Sequence, residues 1–211
     1  MRRLPVYLLL DTSGSMRGEP IASVNVGLQT MVSTLRRDPS ALETVHISII
    51  TFDREAVVLV PLTSMELLVL PEITTPESGP TMLGEALQAV CALVDAELVH
   101  ATPDQKGDWA PLLFVMTDGS PTDLLAFEEA VPMVKQRNFG NIIACAAGPK
   151  AKKDFLLQLT DHVVSLDTVD ATAFSSFFKW VSSAVGAGSR SQGTTASAEL
   201  PPPPAEIQFV V

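Results

Sequence analysis

Aromatic side chains are scarce in this sequence, at 6% of residues. That argues against a binding surface built on stacking and for an aliphatic core of Leu, Val and Ala. Positive charge is also short: 14 Lys and Arg stand against 24 Asp and Glu, a formal net charge of -10. Nucleic acid is thereby excluded as a partner, because phosphate binding needs clustered cations to displace counterions. The small basic clusters, Arg2-Arg3, Arg36-Arg37 and Lys150/Lys152/Lys153, read as solvated ends of elements. Only two cysteines occur, Cys91 and Cys145, both inside apolar stretches and without CxxC spacing, which reads as reduced core thiols in a reducing compartment. No apolar run approaches the ~20 residues of a membrane span. The run Val6 to Leu10 is too short for the core of a signal peptide and is ended by Asp11, so a cytoplasmic protein is expected.

What is present is an alternation of short apolar runs with longer segments of helical period, the pattern of a sheet covered on both faces. Strands are expected at 5–10, 44–52, 56–62, 111–117, 141–147 and 162–166. Helices are expected from Pro20 to Arg37 and over 83–98, 123–137, 152–159 and 170–185. The link Asp53-Arg54-Glu55 is short enough to join only antiparallel neighbours, which makes the second and third strands a hairpin at a sheet edge. The fold class that follows is α/β: a doubly wound, Rossmann-like open sheet, mostly parallel with one antiparallel edge strand. Residues 63–80 show no clear pattern, and "PEITTPESGP" reads as a loop. The chain divides into a domain over 1–186 and a flexible Gly/Ser/Pro-rich tail over 187–211. Within that tail "EIQFVV" has strand composition, suited to adding to a sheet edge or to carrying Glu206, with Glu199 nearby, to another molecule. Oligomer formation through the tail would follow.

Ligands of such sheets bind outside the carboxyl ends of the strands, where strand order reverses. Two loops at such ends carry more polarity than a turn requires: "DTSGS" at 11–15 and "TDGSPTD" at 117–123. Alternate residues of an extended segment share a side, so Asp11, Ser13 and Ser15 can converge, with Gly14 allowing the bend. Asp118 would arrive from the neighbouring loop. Oxygen donors mixing carboxylates with hydroxyls are what a hard divalent cation such as Mg2+ takes.

The ordered set "DTSGS", Thr81 in "SGPTMLGEAL" and Asp118 in "MTDGSPTD" resembles the von Willebrand factor A domain and its metal-ion-dependent adhesion site. The likeness covers about residues 4–185. It implies a site in which Asp11, Ser13, Ser15, Thr81 and Asp118 hold Mg2+ (or Mn2+ or Ca2+), leaving one position for an Asp or Glu of a partner protein. "YLLLDTSGSMRGEPI" is closest to the bacterial tellurite-resistance TerY-type proteins, which implies a stress-response scaffold associated with a kinase and a protein phosphatase. A kinase association would make Thr12, Ser13 and Ser15 candidate phosphorylation positions.

Around this set, Asp123 reads as the N-cap of the following helix, Ser120 as a rim residue, and Glu19 and Asp53 as solvated surface. His46, His100 and His162 have no spacing that suggests zinc. The alternative is a Mg2+-dependent phosphoryl-transfer enzyme of haloacid-dehalogenase type with Asp11 as nucleophile. That chemistry wants an acid two residues later, where Ser13 stands, and a hydroxyl there is a poor general acid or base. With no P-loop or nucleophile-elbow pattern either, the reading is of a binding module, not an enzyme.

Overall fold

The structure is a computed structural model that describes residues 2–190, 200–204 and 207–210. Its seven strands are β1 Leu4–Asp11, β2 Val45–Phe52, β3 Ala56–Ser64, β4 Leu112–Thr117, β5 Asn141–Ala147, β6 Val163–Leu166 and β7 Gln208–Phe209. The six helices are α1 Glu19–Leu35, α2 Pro39–Thr44, α3 Leu83–Glu97, α4 Leu124–Gln136, α5 Lys153–Leu159 and α6 Ala171–Arg190. One mixed sheet runs in the order β3-β2-β1-β4-β5-β6-β7. Strands β2, β1, β4, β5 and β6 are parallel, and β3 pairs antiparallel with β2 at one edge, as the short Asp53–Glu55 link requires.

Both faces of the sheet are covered, and β1 shows why. All eight of its residues are buried, so its apolar run is continuous rather than alternating. Val6, Leu8 and Leu10 point into the core under α1 and α6, while Tyr7 and Leu9 point into the core under α3 and α4. Close packing is enforced by two glycines. A Cβ on Gly27 would lie 2.2 Å from the Phe178 ring of α6, and one on Gly84 would lie 2.2 Å from the Phe127 backbone nitrogen of α4.

Three features depart from the sequence reading. Helix α2 was not expected, although Asp38 caps it through the Ser40 and Ala41 N–H groups and Pro39 opens it. Helix α6 continues to Arg190, past the expected tail boundary at 187, because Ser189 is buried and its hydroxyl bonds the Gly186 carbonyl. The tail returns to the domain: β7 pairs antiparallel with β6, Val210 N–H bonds the Val163 carbonyl at 2.8 Å, and Ile207 is buried. Trp180 of α6 holds this strap by donating to the Pro201 carbonyl at 2.8 Å and by an edge contact with Phe209. The strand expectation for "EIQFVV" thus meets a partner within its own chain, whereas Glu199 and Glu206 lie outside the described residues.

The segment after β3 has no regular structure up to α3 but is fixed by side chains. Asn25 of α1 clasps Ile73, donating to its carbonyl at 2.8 Å and accepting from its N–H at 2.9 Å. Arg36 donates to the Met65 and Leu68 carbonyls.

Candidate metal centre

From β1 the chain steps outward to β2 and β3, then returns across β1 to β4, β5 and β6. Strand order therefore reverses between β1 and β4, and the crevice outside their carboxyl ends is where such sheets bind ligands. The two loops singled out by their polarity leave the sheet at this point.

Asp11 is the last residue of β1 and only 1% exposed. Its Oδ1 accepts the Ser13 N–H at 2.7 Å, and its Oδ2 accepts the Thr117 hydroxyl at 2.6 Å. A single 3-10 turn over Gly14–Met16 then brings Ser15 beside Ser13, their Oγ atoms 3.2 Å apart. The Ser15 hydroxyl donates to Asp118 Oδ1 at 2.8 Å, closing a link from the first loop to the loop after β4. Thr81 is buried, its carbonyl accepts the Thr122 N–H, and its Oγ1 lies 3.4 Å from where a Cβ on Gly119 would stand. The Thr81 hydroxyl therefore lies against the Asp118 turn, within ordinary contact distance of position 119. The third loop is held close: Gly14 N–H bonds the Gly79 carbonyl, and a Cβ on Gly14 would press the Ser78 backbone at 3.1 Å.

Asp11, Ser13, Ser15 and Asp118 are thus brought together by hydrogen bonds, with Thr81 against the same turn. Burial pushes the Asp11 carboxyl up to about 6, against the Ser13 and Thr117 hydroxyls and the Ser13 N–H that favour its anion; the Asp118 charge adds to the rise. Burial raises Asp118 as well, opposed mainly by Ser15. Neither acid is among the three ion pairs of the described residues. Two desolvated carboxylates and three hydroxyls without a cation in contact are a donor set suited to a hard divalent ion, which would neutralise both charges. Such a set is poor in carboxylates, and no group of three or more His, Cys, Asp or Glu residues suited to a metal occurs among the described residues.

Thr117 was missed in the sequence. It orients Asp11 and also accepts the Gly119 N–H at 3.2 Å, so one hydroxyl braces both loops. Its signal was a hydroxyl closing an otherwise apolar strand, "PLLFVMT". Asp123 occupies the N-cap position of α4 but makes no side-chain cap there. Its carboxylate instead accepts the Gly84 and Glu85 N–H groups at 3.1 and 2.8 Å, capping α3 across the interface. Glu19 is exposed, Ser120 is half-buried at the rim, and Asp53 adjoins the third loop, its carbonyl bonded to the Met82 N–H. His46 bonds the Thr44 carbonyl. A separate concavity of about 420 Å3, lined by Arg2, His100, Trp109 and Arg137 among others, lies at the opposite pole, beside the amino ends of β1 and β4.

Comparison with solved structures places this fold among known ones. Proximal thread matrix protein 1 from the mussel byssus is 16% identical, with a TM-score of 0.62 over 86% of this chain and 48% of that one. A von Willebrand factor type A protein from Catenulispora acidiphila is 15% identical, with a TM-score of 0.63 over 88% of this chain and 43% of that one. The pilus adhesin SpaC from Lactobacillus rhamnosus GG is 13% identical, with a TM-score of 0.67 over 89% of this chain and 31% of that one. This chain therefore spans half or less of the length of these proteins. One structure of the mussel protein has a zinc-occupied MIDAS motif, the metal-ion-dependent adhesion site. No curated protein matches the chain in sequence. Among the described residues no helix is long and apolar enough to cross a membrane. The sequence pattern of the von Willebrand factor type A domain matches residues 6–178, and the chain belongs to that family.

Proposed function

We propose that this domain is a metal-dependent protein-interaction module. The observation that carries the reading is the hydrogen-bonded run at the carboxyl ends of β1 and β4: the Ser13 N–H on Asp11 Oδ1, the Ser13 and Ser15 hydroxyls on each other, and the Ser15 hydroxyl on Asp118 Oδ1. Ser13, Ser15 and Thr81 would hold the ion through hydroxyls, and Asp11 and Asp118 would hold it directly or through water. Mg2+ is the ion proposed; when bound, it supplies an electron-poor position able to accept an Asp or Glu from a partner. The zinc-occupied motif of the mussel protein supports a divalent ion at such a site. Thr117 fixes the Asp11 carboxylate. The proposal is one of binding rather than turnover, since Ser13, a poor general acid or base, stands two residues after Asp11.

The closer likeness of "YLLLDTSGSMRGEPI" to tellurite-resistance proteins supports a finer setting: a cytoplasmic stress-response adaptor working beside a kinase and a protein phosphatase. Two free, buried thiols, Cys91 and Cys145, suit a reducing compartment.

Calorimetric titration with Mg2+ and Mn2+ tests the centre. The parent protein should bind one ion and the Asp118→Ala variant none; failure of the parent to bind either ion refutes the reading. A pull-down with and without chelator then tests whether partner capture needs the metal.

A further inference from the structure

The exposed cluster Lys150, Lys152 and Lys153 lies at the start of α5, as a solvated end of an element, and that end is the one that carries the centre. Strand β5 runs parallel to β4 with Ala146 opposite Thr117, so the residues after β5 emerge beside Asp118 and Gly119. Gly148, at φ +84, turns the chain there, a conformation other residues rarely adopt. The turn is pinned at the centre's rim: Lys152 N–H bonds the Gly119 carbonyl at 3.3 Å, and Ala151 is buried between exposed lysines.

Two further observations separate these lysines from ordinary surface charge. None of them belongs to an ion pair among the described residues. Lys152 and Lys153 also open α5, the end of a helix where a cation is disfavoured, so helix stability does not account for them. In a chain with 14 basic and 24 acidic residues, three cations fall within the four residues 150–153 that follow this turn.

We propose that Lys150, Lys152 and Lys153 form a basic subsite next to the metal centre, which takes further carboxylates of the partner. The partner is then a segment carrying several Asp or Glu residues, one for the ion and the others for the lysines. This rests on the metal-dependent reading, and the experiment separates the two.

The probes are two synthetic twelve-residue peptides: one with a single Glu among Ser and Gly, the other with that Glu followed by three further acids. Fluorescence anisotropy follows their binding to the full chain in Mn2+ and in chelator. The acidic peptide should bind about tenfold more tightly than the single-Glu peptide at low salt, a modest factor for each exposed charge pair. That advantage should shrink toward unity as salt shortens the Debye length. The K150E/K152E/K153E variant should abolish the preference while binding Mn2+ no more weakly than the parent, because removing nearby cations cannot repel the ion. If Mn2+ binds but the peptides are not distinguished, or if charge reversal leaves the preference intact, the subsite is refuted and the metal centre stands. If the acidic peptide binds equally well in chelator and loses binding in the variant, the subsite stands and the metal dependence fails. Absence of binding by the acidic peptide refutes the subsite.

Discussion

Replacing Thr117 with Val removes one oxygen and keeps the volume and branching that β4 packs around. The lost hydroxyl donates to Asp11 Oδ2 at 2.6 Å and accepts the Gly119 N–H at 3.2 Å. Asp11 is 1% exposed and Thr117 is as buried, so water has little access to replace the bond. A hydrogen bond to a charged group contributes about 1.5–3 kcal/mol, and a neutral one about 1 kcal/mol. The Gly119 N–H is half-buried and recovers part of its share from solvent. The expected loss is therefore about 3 kcal/mol, or roughly 6–12 °C in Tm for a domain of this size. Thermal and urea unfolding of the metal-free protein measure it, with the urea midpoint falling at unchanged slope. Thr117→Ser supplies the contrast: it keeps the oxygen and loses one methyl, about 1 kcal/mol. An Asp11→Asn background should shrink the Thr117→Val effect, because the charge that strengthens the bond is gone. Equal losses for Val and Ser, or a loss below about 0.5 kcal/mol for Val, would refute the bracing role.

Asp123→Ala should cost about 1–2 kcal/mol as a lost cap, and hydrogen exchange should quicken at Gly84 and Glu85 in α3 while the Phe127 amide keeps its backbone partner. Gly84→Ala should destabilise by about 2 kcal/mol or more in urea unfolding despite the better helix propensity of Ala, since its Cβ would meet the α4 backbone at 2.2 Å. In Asp108, burial raises the carboxyl, but the paired bonds from Arg3 at 2.6 and 3.0 Å and the Val99 N–H outweigh it and hold it below the usual range. A depressed folded value contributes stability that is complete above the unfolded value near 3.9 and lost as pH falls through the folded one. Acid titration of stability should therefore fall more steeply below about pH 4 in the parent than in Arg3→Met; equal slopes would count against the pairing.

Period and turn chemistry made most of the architecture legible. The buried runs at β1, β4 and β5 carried the strand positions, because burial on both faces leaves uninterrupted aliphatics, and the three-residue link between β2 and β3 carried the antiparallel edge. The nearness of Ser13 and Ser15 is local and so was legible, though a 3-10 turn brings them together rather than the extended segment expected. What escaped depended on distant partners. Asp123 looks like an ordinary cap in one dimension, yet its carboxylate serves a helix 38 residues earlier. Thr117 ends a strand as many threonines do, and only its register beside β1 points it at Asp11. The lysines after β5 read as solvent-facing until the sheet set them beside β4. Residues 63–80 were opaque because, beyond the end of β3 at Ser64, their order comes from Asn25 and Arg36, side chains from outside the segment.

The two margins of the sheet are unlike. At one, β7 is only two residues long, too short a template for another strand, and Trp180 and Ile207 keep it in place. At the other, β3 runs for nine uncharged residues with Val57, Val58 and Leu59 exposed. Among the described residues β3 is therefore the longer margin along which a neighbour could extend the sheet. Two copies meeting there about a twofold axis would each use up that margin, and a contact of this symmetry closes on itself as a pair.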